Sequence, residues 1–242
     1  MKKIENRSII GDSQLTEREA TADRDSGSSE RFLKLSEVYG TLQGEGSHSG
    51  LPCFFLRLAV CDIRCSWCDT PDSWTGGAWK SRAEILAMIP DNMQLVQITG
   101  GEPVLQMKRL RLLMEDLHER GKKILLETGG HRNLSEVPEF VHIIMDIKLP
   151  SSGEDGHPFE DNFPYLKATD EIKFVVQDER DFRAAVDWIE RHNLDRRFQL
   201  LVSPVPGLDL KKLAAWVLET KLTMRLQVQL HKYIWGPDAK MV

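Results

Sequence analysis

From Phe32 onward the chain alternates short apolar runs with longer stretches in which apolar residues recur every three or four positions. The runs Cys53–Ala59, Gln94–Thr99, Lys123–Glu127, Val141–Ile147, Glu171–Val176, Phe198–Val202 and Arg225–Leu230 predict strands. Several are continuously aliphatic or β-branched, as strands buried on both faces of a parallel sheet must be. Helices are predicted between them. Ser81-Arg-Ala-Glu84 reads as a capping box, Val104–Arg120 ends at Gly121, Glu179–His192 carries an apolar stripe, and Leu208–Thr220 follows a Pro-Val-Pro-Gly turn. The repeated βαβ order predicts an α/β fold with right-handed crossovers, open or rolled into a full or partial barrel. In either architecture ligand chemistry gathers where the strands end at their carboxyl termini.

Residues 1–30 break this pattern. They are rich in Ser, Asp, Glu, Arg and Thr, lack an apolar period, and are expected to form a disordered tail before a single domain spanning 31–242. Composition narrows the function further. The chain has 242 residues, 41% of them hydrophobic, enough for one sizeable core. With 32 Lys plus Arg against 37 Asp plus Glu, the net charge of -5 offers no broad basic surface, so nucleic acid is not an expected partner. No run approaches the roughly 20 apolar residues of a membrane-spanning helix, and the start lacks the apolar core of a signal peptide. A cytoplasmic protein is expected, and in that compartment cysteines read as metal or redox chemistry before disulfides.

Three of the four cysteines crowd into Cys61-Asp-Ile-Arg-Cys65-Ser-Trp-Cys68, a C-x3-C-x2-C loop that leaves a predicted strand end. Such a loop can wrap three thiolates around one face of a 4Fe-4S cubane, leaving one iron without a protein ligand. That open iron can chelate the amino and carboxylate groups of a methionine moiety, whereas four-cysteine ferredoxin sites have no such position. The rival reading is structural zinc completed by Cys53 or a histidine. A second motif, Ile98-Thr99-Gly100-Gly101-Glu102-Pro103, follows the next strand. Its glycines permit close backbone approach to a ligand, and Glu102 adds an acceptor or fixes the turn.

The cysteine spacing, with Trp67 just before Cys68, resembles the radical S-adenosylmethionine superfamily, and Gly-Gly-Glu resembles the element of that superfamily that holds the cofactor's ammonium group. The surrounding residues resemble one family within it, 7-carboxy-7-deazaguanine synthase. The match runs from Glu37-Val-Tyr-Gly-Thr-Leu-Gln-Gly-Glu-Gly46 through Gly50-Leu-Pro, Phe55-Leu-Arg57-Leu, Cys68-Asp-Thr70, Leu126-Glu-Thr-Gly129 and Met145-Asp-Ile-Lys148 to Gln229-Leu-His231-Lys232.

This resemblance implies a partial (β/α) barrel of about six parallel strands. It also implies a carbon-nitrogen lyase of queuosine and deazapurine biosynthesis that contracts 6-carboxy-5,6,7,8-tetrahydropterin to 7-carboxy-7-deazaguanine with loss of ammonia. The implied cofactors are a 4Fe-4S cluster on Cys61, Cys65 and Cys68, S-adenosylmethionine, and a magnesium ion on Thr70. In the family a 5'-deoxyadenosyl radical takes hydrogen from C6 of the pterin. Carried over residue by residue, Leu42, Gln43, Gly44, Arg57, Thr99, His231 and Pro237 would meet the substrate, with Arg57 gripping its carboxylate. Trp67, Cys68, Asp69, Gly101, Glu102, Lys148 and Ser203 would meet the cofactor. A flavodoxin or ferredoxin as electron donor and a homodimer are implied as well.

Each residue also has a plainer reading: Arg57 in a surface ion pair, Thr70 as a helix cap, His231 as a core histidine, Lys148 neutralising Asp146. A glycyl-radical activase shares the cysteine spacing but acts on a partner protein and predicts no small-molecule pocket. A non-catalytic zinc or iron-sulfur module predicts cysteines that serve folding alone.

Overall fold

A computed structural model describes residues 32–237 and 239; the expected tail, residues 1–30, lies outside them. One sheet of nine strands organises the described chain, with helices in the crossovers. In chain order the elements are β1 (Phe32–Leu42), β2 (Pro52–Leu58), β3 (Ala78–Ser81), α1 (Arg82–Met88), β4 (Leu95–Gly100), α2 (Met107–Glu119), β5 (Lys123–Thr128), β6 (His142–Ile147), β7 (Glu171–Val176), α3 (Glu179–His192), β8 (Gln199–Pro204), α4 (Leu210–Glu219), β9 (Arg225–Leu226) and α5 (Leu230–Trp235). The strand order is β3-β1-β2-β4-β5-β6-β7-β8-β9. From β2 to β9 every pairing is parallel, while β1 pairs antiparallel with both β2 and β3.

The central strands are buried on both faces, as the continuous apolar runs predict: Leu95 to Thr99 of β4 are all buried, and so are Ile143 to Ile147 of β6. Helix punctuation acts as expected. The Ser81–Glu84 capping box starts α1, Asp178 caps α3, and α3 lays Phe182, Ala185 and Ile189 onto the sheet before Asn193 ends it at φ 52°. The predicted helix 104–120 divides, because Pro103 opens a 3-10 turn through Gln106 before α2 begins at Met107.

Strands β1 and β3 are not predicted from the sequence, and one predicted strand needs correction. Strand β1 escapes an alternation reading because a register shift between Leu35 and Glu37 moves its buried side chains from Leu33 and Leu35 to Val38 and Tyr39. The last predicted strand, 225–230, contracts to the two residues of β9, and Leu230 starts α5 instead.

The sheet is curled. Laid flat, β1 and β9 would stand about 34 Å apart at ~4.8 Å per strand, and the four residues after Leu42 reach at most ~14 Å. Yet Gly46 N donates to Gln227 Oε1 at 2.6 Å, and Leu230 N donates to Gly44 O at 3.0 Å. The segment after β1 therefore closes the open side of a partial barrel, whose interior holds the cavity described next.

Candidate active site

The cysteine loop begins in strained backbone. Val60, just past β2, adopts φ 81°, a conformation that costs a non-glycine residue roughly 1–2 kcal/mol. Two hydrogen bonds hold it, from Val60 N to Ser73 O and from Glu102 N to Val60 O, both at 2.8 Å. The turn places Cys61 and Cys65, both buried, and half-buried Cys68 around Ile63 and Trp74. Beyond it the loop is pinned to the chain after β6: Arg64 N donates to Glu154 Oε1 at 2.6 Å, and Ser66 N to Ser152 O at 3.0 Å. Burial pushes the Cys65 thiol up to about 11 and raises that of Cys61 as well.

Three thiols gathered in a poorly hydrated wall suit soft, thiolate-liganded iron, whose positive charge stabilises the deprotonated ligands. Beside them Trp67 Nε1 and Asp146 Oδ1 are buried without a hydrogen-bond partner among the described residues. Polar atoms in that condition fit a bound cofactor that supplies the partners. Cys53 does not belong to this group. It is the second residue of β2, at the far end of the strand, packs on Leu95 and Leu125, and has its thiol pushed up to about 12 by burial, so it cannot complete a zinc site with the other three.

The Gly-Gly-Glu segment braces the loop from below. A Cβ at Gly100 would stand 2.2 Å from Leu58 O, and one at Gly101 would stand 2.2 Å from Val60 O, so glycine is required here by the neighbouring strand end. Glu102 is fully buried, and its carboxylate accepts from Val104 N (3.0 Å), Thr128 Oγ1 (2.8 Å) and Gly129 N (2.9 Å). Those bonds tie the ends of β4 and β5 together. Of the two roles open to Glu102, the structure shows the turn-fixing one.

A second wall of the cavity is charged. Lys173 of β7 is buried between Glu127, Glu45 at 3.1 Å and Asp146 at 3.8 Å. Burial works against its charge, but these carboxylates outweigh burial and hold the ammonium well above the usual lysine range. For Glu127 burial is likewise overcome, by Lys173 first and then Arg57, so its carboxyl stays below the ordinary range. A polar chain continues outward: Glu127 accepts from Thr99 Oγ1 at 3.3 Å, Glu45 from Gln229 Nε2 at 2.9 Å, and Asp69 from Gln229 Nε2 at 3.2 Å. Arg57 sits on the same wall, with Nε on Glu37 at 2.8 Å and its guanidinium 5.1 Å from the Phe55 ring centre.

All the residues singled out from the sequence line one cavity of about 530 Å³. It runs from the strand ends, where Cys61, Cys65, Cys68, Thr99, Gly101, Lys148 and Ser203 stand, down to Leu42, Gln43 and Gly44. The last three lie at the opposite end of the parallel strands, because β1 runs antiparallel to them. Gln43 is buried and donates to Gln97 Oε1 at 2.7 Å. His231 belongs to α5 and packs so tightly on Gly44 that a Cβ there would stand 2.6 Å from Nδ1. Ser203 Oγ accepts from Gln227 Nε2 at 2.8 Å.

The plainer readings divide. Arg57 is paired, but inside the cavity and not on the surface. Thr70 does precede a 3-10 turn, yet its hydroxyl makes no cap bond and lies 4.0 Å from Cys68 Sγ. Lys148 does pair with Asp146 at 2.9 Å, and its Nζ also stands 5.4 Å from the Trp67 ring centre. Pro237 is exposed at the cavity's edge, and Trp67 and Asp69 line it beside Cys68. Sequence reasoning overlooked Lys173, Glu127 and Glu45. The signal existed for Lys173, a lysine set among the apolar residues of the strand Glu-Ile-Lys-Phe-Val-Val.

A rolled parallel sheet with a three-thiol loop at its strand ends and a polar cavity beneath defines a radical S-adenosylmethionine protein. The chain matches the model of a 4Fe-4S single cluster domain over residues 42–154. It is 40% identical to a 7-carboxy-7-deazaguanine synthase of Koribacter versatilis over 87% of this chain and 100% of the relative. It is also 40% identical to that of Chlorobaculum tepidum (89% and 100%) and 38% identical to that of Methanospirillum hungatei (85% and 86%). The fold is similar to the crystal structure of QueE from Escherichia coli, with a TM-score of 0.67 and 22% identity over 81% of this chain and 94% of that one. The chain belongs to the 7-carboxy-7-deazaguanine synthase family. Among the described residues, no helix is long and apolar enough to cross a membrane.

Proposed function

We propose that the protein contracts 6-carboxy-5,6,7,8-tetrahydropterin to 7-carboxy-7-deazaguanine with loss of ammonia. The observation that carries this reading is the meeting, in one cavity, of the three-cysteine loop with a partly buried arginine and a fixed charge wall, in a chain whose relatives bear the name 7-carboxy-7-deazaguanine synthase. An activase for a protein radical has no use for such a cavity.

Cys61, Cys65 and Cys68 hold the cluster. When bound, the cluster and S-adenosylmethionine supply the radical that begins the rearrangement. Trp67 and Asp146 offer unpaired polar atoms to the cofactor, and Lys148 is positioned between them. Arg57 takes the substrate carboxylate, a pairing suited to a planar guanidinium already oriented by Glu37 and Phe55. Thr70, whose hydroxyl makes no cap bond and has only the long contact with Cys68 Sγ, gives it to magnesium, an ion that keeps waters and takes few protein ligands. His231 and Gly44 bound the pterin from the floor. The Lys173–Glu127–Glu45 group keeps the wall charged without reorganising during turnover, which is how a preorganised site stabilises developing charge. A flavodoxin or ferredoxin as electron donor, a homodimer and a cytoplasmic setting complete the reading.

The test is anaerobic incubation of the cluster-loaded protein with dithionite, S-adenosylmethionine, magnesium and the carboxypterin, scored by mass. The contracted product is expected. Cofactor cleavage without any contracted product would overturn the proposed substrate.

A further inference from the structure

A second cluster of metal-ligating side chains lies away from the cysteines, at the amino-terminal end of the parallel strands. His142 is the first residue of β6, Glu171 is the first of β7, and His48 ends the 3-10 turn Gly46–His48 that follows β1. Their donor atoms all lie within 4.8 Å of one another. His142 Nε2 and Glu171 Oε1 are 3.4 Å apart, close to the ~3.3 Å edge of a tetrahedron with ~2.05 Å bonds. The His48 and His142 rings meet at 5.0 Å.

Two atoms in this group point to a ligand. Glu171 is fully buried, yet among the described residues its Oε2 has no hydrogen-bond partner, and the buried Nε2 of His142 has only the long 3.4 Å contact with Oε1. Leaving a buried carboxylate oxygen unmatched costs roughly 1–3 kcal/mol unless a ligand supplies the partner, and a ligand there would also engage the imidazole nitrogen better than its long contact does. The surroundings are organised as for a metal. The Nδ1 of His142 faces the buried Asp170 carboxylate at 3.8 Å, the side on which a ligating imidazole carries its proton. Ser47 N donates to Glu171 Oε1 at 2.9 Å, which fixes the carboxylate. Gly46, at φ +73°, leaves room for that carboxylate, since a Cβ there would stand 2.6 Å from Oε2.

We propose that His48, His142 and Glu171 form a divalent-metal site of the zinc type, separate from the cysteine cluster. Two imidazoles and one carboxylate are a zinc ligand set that leaves one position for water. Because His48 sits on the segment that closes the barrel and the other two ligands begin β6 and β7, the ion clamps that segment to the sheet. The clamped segment carries Glu45 to Lys173 and Gly44 to His231, so the metal sets the floor of the reaction cavity without touching substrate.

The experiment uses the untagged full chain with its cluster already reconstituted, so that the three cysteines are occupied. After anaerobic incubation with zinc and desalting, about one equivalent of zinc per chain is expected, bound through nitrogen and oxygen only in the zinc K-edge absorption spectrum. In His48→Ala, zinc affinity should fall more than about 100-fold with iron content unchanged, a larger loss than removal of a mere orienting partner causes. Amide exchange across residues 44–51 should slow when zinc binds the parent protein. Failure to retain zinc, sulfur ligation at the zinc edge, equal retention by His48→Ala, or exchange unaffected by zinc would each overturn the proposal. The parent spectrum decides the ligand set whether or not the variant folds.

Discussion

The two walls of the cavity are built by opposite means. The thiol wall comes from eight consecutive residues, Cys61–Cys68, resting on Gly100–Glu102, and burial favours the neutral thiols of Cys61 and Cys65 until something binds them. The charged wall is assembled from β1, β2, β5, β7 and the segments after β1 and β9, and its charges already satisfy one another. One wall is poised to receive a group; the other is finished before any ligand arrives. Their roles in stability should therefore differ as sharply as their roles in chemistry.

Removing a ligand from the thiol wall gives the largest functional loss and a small structural one. Cys65→Ala should reduce S-adenosylmethionine cleavage to background while the cluster-free chain shifts in stability by less than about 1 kcal/mol in urea. A large loss of stability in that variant would erase the contrast between the walls. The reverse holds for Lys173→Met, which strands Glu127 and Glu45 and should cost about 3–5 kcal/mol, read from the same urea transitions.

The pH dependence of that second loss sharpens the comparison. In the parent, Glu127 is held below the ordinary carboxylate range, so its contribution is present at neutral pH and disappears as pH falls through its folded value. In Lys173→Met the stranded carboxyl instead favours its protonated form, and acid relieves it. The gap between parent and variant should narrow from pH 7 towards pH 4. A constant gap would show that the lysine matters for packing rather than for charge.

Smaller effects follow on each wall. Arg57→Ala should raise KM for the carboxypterin about 10- to 100-fold, the worth of a charge-assisted hydrogen bond, and should equalise affinity for pterins with and without the carboxylate. Unequal affinity in the variant would remove the assigned role. Thr70→Ala should weaken the dependence of turnover on magnesium while cofactor cleavage persists; an unchanged magnesium titration would argue for a purely local role. The smallest effect concerns Val60, whose φ of 81° suits glycine. Val60→Gly should stabilise the cluster-free chain by about 1 kcal/mol, and a loss would mean that the Val60 side chain contributes more than its backbone strain costs.

The division between the walls is also a division in what the sequence reveals. Cys61, Cys65 and Cys68 announce themselves because a tight loop needs its ligands at short, fixed spacing. Glu171–Val176 and Glu179–His192 are found with their observed bounds because uniform burial and a capped amphipathic period are local properties. The alternation reading loses β1 at its bulge and overextends β9, since the end of a strand depends on its neighbours in the sheet.

The sequence by itself therefore determined the α/β class, the helix caps, the thiol loop and the residues that resemble one enzyme family. Only the tertiary structure decided that Leu42–Gly44 form the cavity floor, that Arg57 is paired inside it, that Cys53 is core, and that Lys173 gathers three carboxylates from distant segments. The reason is physical. Spacing along a chain records contacts within a turn or a loop, whereas the pairing of buried charges and the closure of a curled sheet depend on strand order, which no single stretch of residues contains.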